Sequence, residues 1–473
     1  GIILSLVRKE KVVLEQNLKK LSWKTKISFG LGAFGKDAVY AIVSTFLMYF
    51  LTDVKGVAPA FVGTLFLVAR IFDAVNDPIM GVIVDNTRSK FGRFRPWIMI
   101  GTVLNSAVLI LLYFNTSFSG TSYATWVAIL YILWGLTYTI EDIPYWSMVP
   151  ALTEDPQERD QISSIPRFFA SLAWLVVGSG GFTIIGFLGK GDDATGFSRF
   201  AMVIAFAFII CSTLTVLNCK ESRELPPSAE KTSVRKMIDI LFKNDQVLAV
   251  LGIAVLFNLG YQLENSFATY YFKYVCGSAS GGLFSIWTGV AGIAQMATLA
   301  LFPTISAKIG RPKSFLVAAV AQVVGFALLF ICGRGVGVAM VGACSAIVNI
   351  GIGFMLVLVT VSLADVVDYG EYKFGTRNEA IIFSMQTFVV KLAGAVSGFI
   401  SGVGLTAIGY VANQDPSPAT VSGMQVLMIV VPAVLAILTY IIYLLCFKLR
   451  GEYLEEVKSA IRAKRAQEEN PTL

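Results

Sequence analysis

Twelve long apolar stretches run along this chain, separated by short polar ones. They lie at about 27–51, 59–84, 96–114, 123–149, 162–187, 197–219, 246–273, 281–303, 313–332, 336–363, 378–410 and 420–447. Each is long enough to carry a helix across the ~30 Å hydrocarbon core of a bilayer. Stretches 201–219 and 420–447 hold no charge at all, whereas others hold charges near their middles and are delimited by their flanks. In lipid every backbone polar group must be satisfied inside the segment, so helix is the expected state throughout. The pattern predicts an all-α polytopic membrane protein with twelve transmembrane helices.

The polar connections give direction and division. If both termini are cytoplasmic, 29 of the 38 Lys and Arg fall on the inner side and five (Lys55, Lys190, Arg199, Lys273, Arg334) on the outer. The other four, Lys36, Arg70, Arg167 and Lys391, lie inside helices. Cytoplasmic loops carry the excess of Lys and Arg, so both termini are expected inside. The longest polar connection, 220–245, falls at the midpoint. It predicts a cytoplasmic N-terminal segment (1–26), a six-helix half (27–219), a cytoplasmic linker (220–245), a second six-helix half (246–447) and a cytoplasmic tail (448–473). A short repeat supports the two halves. Ser89-Lys90-Phe91-Gly92-Arg93-Phe94-Arg95 follows the second stretch, and Ala307-Lys308-Ile309-Gly310-Arg311-Pro312-Lys313 follows the eighth. Such basic loops can cap helix C-termini. The start of the chain lacks the order of a signal peptide, in which charges precede a longer apolar core. Val12, Val13, Leu14, Leu18 and Leu21 among the N-terminal charges fit an interfacial helix, or a dispensable extension.

Composition narrows the chemistry. The chain is 55% hydrophobic and 15% charged, against roughly 25% charged in an average soluble protein. That excludes a soluble multidomain enzyme and a disordered chain. There is no histidine, which excludes a Ser-His triad, a His-ligated metal or a His proton relay. The net charge of +7 is accounted for by membrane orientation rather than by nucleic acid. The six cysteines lie far apart, with no pair at metal-ligand or redox spacing.

The charges inside the apolar stretches then stand out: Lys36, Asp37, Arg70, Asp73, Asp77, Glu141, Asp142, Arg167, Glu264 and Lys391. Each costs ~2.5–3.5 kcal/mol at depth even on the lenient insertion scale. So many point to a polar binding cavity rather than to structural ion pairs alone. Asp73, Asn76 and Asp77 share one helical face at i, i+3 and i+4. Their oxygens suit a hard monovalent cation such as Na⁺; the acids could instead be neutralised by Arg70 and Lys391, or share a proton. Tyr138, Asp142 and Trp146 also share a face. A carboxylate between aromatics suits a sugar, accepting from vicinal hydroxyls while a ring packs on the pyranose; helix packing is the alternative reading. Asp37 and Arg167 could add hydrogen bonds. Asp365, Asp368, Glu371 and Lys373 are expected to form a charged cytoplasmic loop after the tenth stretch.

These residues fall in longer motifs. Gly32-Ala33-Phe34-Gly35-Lys36-Asp37, Gly63-Thr64-Leu65-Phe66-Leu67-Val68-Ala69-Arg70-Ile71, Asn76-Asp77-Pro78-Ile79-Met80-Gly81, Thr137-Tyr138-Thr139-Ile140, Asp142-Ile143-Pro144, Pro166-Arg167-Phe168-Phe169-Ala170, Val367-Asp368-Tyr369-Gly370-Glu371-Tyr372-Lys373 and Gln386-Thr387 with Lys391 resemble the glycoside-pentoside-hexuronide:cation symporters of the major facilitator superfamily, the melibiose permease branch in particular. The resemblance covers about Leu21 to Arg450. It implies a major-facilitator-like fold, with a site between two halves reached by alternating access.

By position, the resemblance assigns Asp37 and Asp142 as sugar-hydroxyl carboxylates, with Lys36, Tyr138, Trp146, Arg167, Gln386 and Thr387 as supporting sugar contacts. Asp73, Asn76, Asp77 and Thr139 correspond to the cation site, and Lys391 to the positive charge between the two. Three departures bear on the substrate. The melibiose permease has a tryptophan in its tenth helix, where Gly353-Phe354-Met355-Leu356 has none, and Glu141 and Glu264 stand where it is uncharged. The expected activity is sodium-, lithium- or proton-coupled symport of a glycoside such as melibiose or a related galactoside across the cell membrane. The alternatives are a proton-coupled transporter of another glycoside, pentoside or hexuronide, and a non-transporting sugar-sensing receptor. No enzyme activity, no cofactor beyond the coupling cation and no nucleic-acid partner are expected. The partners are the sugar, a monovalent cation, the bilayer and, without any motif to identify it, a regulatory cytoplasmic protein.

Overall fold

A computed structural model describes residues 20–152, 156–221, 243–277, 282–333, 335–375 and 379–469. The N-terminal amphipathic stretch and most of the 220–245 linker lie outside the described residues. Thirteen principal helices follow in order: α1 Trp23–Val54, α2 Pro59–Asn86, α3 Arg95–Leu112, α4 Gly120–Ser147, α5 Pro156–Gly189, α6 Asp193–Asn218, α7 Asp245–Val275, α8 Gly282–Ile309, α9 Arg311–Cys332, α10 Val338–Phe374, α11 Glu379–Ala407, α12 Pro418–Cys446 and α13 Glu452–Glu469. No strand occurs among the described residues. Eleven of these helices are long and apolar enough to cross a membrane. The remaining long one before the tail, α2, has 28 residues but carries Arg70, Asp73, Asp77 and Asp85. Side chains that would be core in a soluble protein face outward here, with Phe187, Ile331 and Leu445 each more than three-quarters exposed. That is the surface of a protein solvated by lipid.

The tenth span runs on through the acidic stretch expected as a loop. Asp365, Asp368, Glu371 and Lys373 are all helical, and α10 ends only at Gly375, whose left-handed φ of 68° lets its N–H reach the Glu371 carbonyl at 3.0 Å. The helix continues where one of its acids finds cations: buried Asp365 pairs with Arg311 on α9 and, at 3.3 Å, with Lys458 on α13. The two basic repeats also differ in use. Arg93 donates to the Val84 carbonyl at 3.1 Å and Arg95 to the Val216 carbonyl at 2.6 Å, capping α2 and α6. Arg311 in the second repeat serves Asp365 instead.

The chain groups into two compact units. One holds residues 1–47 and 71–229, and the other 48–70 and 230–473. The division departs from 27–219 and 246–447 in one respect: the end of α1 and the first part of α2 pack with the C-terminal helices. Two contacts within that second unit explain it. In the first, Gly63 on α2 meets α11 with no room for a side chain, since a Cβ there would lie 2.8 Å from the Gly398 carbonyl oxygen and 3.0 Å from Gly402 Cα. Small residues let helix backbones approach where lipid offers no hydrophobic drive.

The second contact is a polar knot at the end of α1. The buried Asp53 carboxylate accepts from Lys273 Nζ at 3.0 Å, from Thr52 Oγ1 at 2.9 Å, and from the hydroxyls of Tyr274 and Tyr410. Asn413 Nδ2 binds the Asp53 carbonyl at 2.6 Å, and Lys273 also reaches the Tyr49 hydroxyl at 2.8 Å. The knot joins two matching elements. α1 and α7 both close in a π turn, Phe50–Val54 and Tyr271–Val275, and both are followed by a glycine at φ 69°, Gly56 and Gly277.

In the first unit α3 packs on α4. A Cβ on Gly101 would meet the Glu141 backbone nitrogen at 2.6 Å, and Asn105 Nδ2 donates to the Trp134 carbonyl and to Thr137 Oγ1, both at 2.9 Å. Phe29 stacks on Tyr145 at 4.4 Å within a core that includes Ala33, Met80, Val84, Ile98 and Ile162.

Replacing Gly402 with Val is expected to force α2 and α11 apart, because its Cβ would meet backbone rather than a movable side chain. The cost should be ~1–3 kcal/mol or more, read as a lower melting temperature of the purified protein in detergent. A melting temperature equal to that of the unaltered chain would show that the crossing tolerates bulk.

Candidate functional site

Helix α1 is pinned through its glycine face. Gly32 and Gly35 leave space for Thr215, Cys211 and Phe208 of α6, so Lys36 and Asp37 are held at fixed depth. Lys36 is buried, and its ammonium meets α4. It pairs with Asp142 Oδ1, lies 3.8 Å from Asp37 Oδ2 and donates to the Tyr138 hydroxyl at 3.4 Å. The rings of Tyr138, Tyr145 and Trp146 surround it with centroids 5.5, 5.4 and 5.3 Å away. Such rings favour a desolvated cation. Five of the residues expected to contact sugar, Lys36, Asp37, Tyr138, Asp142 and Trp146, therefore come together within one unit.

The two carboxylates keep capacity for a ligand. Asp142 is only partly buried, and its second oxygen takes no hydrogen bond among the described residues. Asp37 accepts from the Trp174 indole N–H at 3.3 Å. The cluster also lies close to an acid without a donor among the described residues: Glu141 is fully buried, and neither carboxylate oxygen is hydrogen-bonded there.

One residue away on α4, Thr139 faces α2. Its hydroxyl donates to Asp77 Oδ1 at 2.9 Å. Asp73 is buried, with Oδ1 in the space that Gly135 leaves open, only 2.6 Å from where a Cβ there would stand. The amide nitrogen of Asn76 is buried without an acceptor among the described residues. Asp73, Asp77 and Thr139 thus form an oxygen-rich group on α2 and α4, with Asn76 on the same helical face as the acids. These donors fit a small hard cation.

The other expected residues lie on other helices. Arg167 on α5 is exposed and forms no ion pair among the described residues. Gln386 and Lys391 are half-buried on α11, in the second unit. The side chain of Thr387 lies outside the described residues. Two contacting residues were missed from sequence: Tyr145, which faces Lys36, and Trp174, which bonds Asp37. Trp174 had a signal, since it falls two helical turns after Arg167 on the same face.

Comparison with known proteins converges on one family. The model of the MFS/sugar transport protein family matches residues 28–451. The isoprimeverose transporter of Lactiplantibacillus pentosus is 30% identical, over 89% of this chain and 88% of that one. A lactose permease of Lactobacillus helveticus is 29% identical, over 92% of this chain and 72% of that one. Among solved structures, the nucleoside transporter NupG superposes with a TM-score of 0.65 at 15% identity, over 90% of this chain and 100% of that one, which shows a shared fold.

Lys36 and Asp142 should be energetically coupled. Lys36→Met alone strands the Asp142 carboxylate, and Asp142→Asn alone strands the ammonium. The double variant is expected to regain stability relative to the sum of the single losses, with a coupling of ~0.5–3 kcal/mol. Thermal melts of the four proteins measure it, and strictly additive losses would contradict the pairing.

Proposed function

Because the chain belongs to the MFS/sugar transport protein family, and is a multi-pass sugar symporter of the major facilitator class, we propose that it carries a glycoside together with a monovalent cation, sodium in the first place. The supporting observation is the arrangement of α4. Thr139 turns toward the acids of α2, while the adjacent Tyr138, with Asp142 one turn on, meets Lys36 of α1. Cation and sugar groups are carried on a single helix.

The roles follow from the chemistry of each group. Asp73 and Asp77, with the hydroxyl of Thr139 and the amide of Asn76, hold the cation. Its charge cancels the repulsion between two acids one turn apart. Asp142 and Asp37 accept sugar hydroxyls, Lys36 and Trp174 hold the two carboxylates in place, and Trp146 offers a ring to the apolar face of the pyranose. Gln386, Thr387 and Lys391 contribute from α11, and Arg167 from α5. Twelve spans, with both termini cytoplasmic, complete this reading. Relatives named for isoprimeverose and for lactose favour a glycoside. The absence of tryptophan around Phe354 favours a sugar other than melibiose itself, a related galactoside being the first to try.

Counterflow in proteoliposomes, run over a panel of α- and β-galactosides with and without Na⁺ or Li⁺, tests the proposal. Stimulation of at least one sugar by Na⁺ is the expected result. No stimulation of any sugar by either ion would remove the sodium reading, and accumulation driven by a pH jump without Na⁺ would replace it with proton coupling. Asp77→Cys should abolish cation-driven accumulation. Accumulation at the unaltered level would take Asp77 out of the cation site.

A further inference from the structure

Among the described residues the second unit buries three carboxylates, and they are treated differently. Asp365 pairs with Arg311 and Lys458. Asp53 is a satisfied anion, held by an ammonium and three hydroxyl donors. Glu264 on α7 is 2% exposed, and its one hydrogen bond among the described residues comes from a neutral group, the Trp287 indole N–H on α8, at 2.6 Å to Oε1. No described Lys or Arg pairs with it.

The neighbourhood of Glu264 is polar but uncharged. The Trp287 carbonyl accepts from Ser345 Oγ at 2.6 Å, Asn349 Nδ2 donates to the Ser345 carbonyl at 2.9 Å, and Gln295 Nε2 donates to Asn349 Oδ1 at 2.7 Å. The chain of bonds runs from Glu264 through α8 and α10 to Gln295, which also meets the neutral Tyr261 hydroxyl of α7, without meeting a charged group. On α7 itself the titratable group that faces Glu264 is Tyr261. Among the described residues, α11 and α12, which also pack on α7, present no charged group to it. An ionised carboxylate in such surroundings, with a single neutral donor, is strongly disfavoured, and binding one proton removes the cost without breaking the Trp287 bond. An ionisable side chain at membrane depth is a candidate for an ion or proton pathway.

We propose that Glu264 is a proton-binding site of the C-terminal unit, whose carboxylate takes up one proton and releases it during sugar transport. No other bond forms or breaks. The proposal needs only sugar symport, and stands whether or not sodium binds at the α2 acids.

Infrared difference spectra of the full-length protein in liposomes, recorded as pH is stepped, test proton binding without any sugar. The carbonyl stretch of a protonated carboxylic acid should grow and fade with pH, should be missing in Glu264→Gln, and should persist in Asp77→Asn. Spectra of Glu264→Gln that superimpose on those of the unaltered protein would overturn the assignment. Glutamine keeps an acceptor for Trp287, and Trp287→Phe serves as a second variant that keeps the carboxyl. The band should survive in Trp287→Phe, and its loss there would also overturn the assignment. Coupling is read from exchange of the panel glycoside with the largest flux. Glu264→Gln should lose most of the pH dependence of that flux while retaining exchange, and a pH profile matching the unaltered protein would overturn the link to transport.

Discussion

A charged group inside an apolar helix bundle must find its partners among neighbouring side chains, because water is not there to supply them. Much of the polar architecture of this chain follows from that constraint. Asp53 meets it with Lys273 and a set of hydroxyls, Asp365 with Arg311 and Lys458, and Asp142 with Lys36. Each solution draws on side chains from different helices, so each also fixes helices against one another. Breaking one partner leaves the other buried and unpaired, and that penalty, more than the attraction itself, makes such pairs hard to remove. Glu141 and Glu264 are acids that do not meet the constraint with a cation among the described residues.

Close backbone approach is the second half of the same solution. A side chain such as Lys36 can reach an acid on the next helix only if the helices are held at the right separation. Gly32 and Gly35 set α1 against α6, Gly135 gives Asp73 its place beside α4, and Gly63 with Gly402 sets α2 against α11. In lipid the apolar side chains gain little from leaving their surroundings, so packing and buried hydrogen bonds carry association. The glycines and the charges therefore belong to one design: the first allow the contacts that the second require.

How far this was legible in the sequence varied with the physics of each feature. The helices were visible because twenty apolar residues in succession have few other uses. The two clusters were visible because charges in such segments are conspicuous and helical spacing shows which share a face. The expected loop at Asp365–Lys373 was misjudged because hydropathy marks where lipid ends, while α10 continues past that point on the strength of ion pairs to residues 54 and 93 positions away in the sequence. The matching π turns at the ends of α1 and α7 escaped notice for another reason. Their hydrogen-bond pattern leaves no compositional mark, and Thr52 and Asp53 stand where the second copy has Lys273 and Tyr274. Trp174 and Tyr145 were missed because an aromatic on an apolar helix is ordinary until its polar edge or face is seen against a charge.

On the proposed reading, the interleaving on α4 bears directly on how two ligands can affect each other. Residues 138 and 139 are consecutive, so their side chains leave the helix about 100° apart, one toward α1 and the other toward α2. A helix turn is stiff on this scale. Thr139 cannot shift to meet a cation beside Asp77 without carrying Tyr138 and Asp142 with it, and with them the ammonium of Lys36. No separate relay is needed between two groups that share a backbone. Whatever either ligand gains by settling α4 in one position is available to the other, and by linkage the effect is equal in both directions. An effect of ~1–3 kcal/mol, the ordinary range for coupled sites, requires only a small displacement of one helix whose neighbours on both sides are held by buried charges.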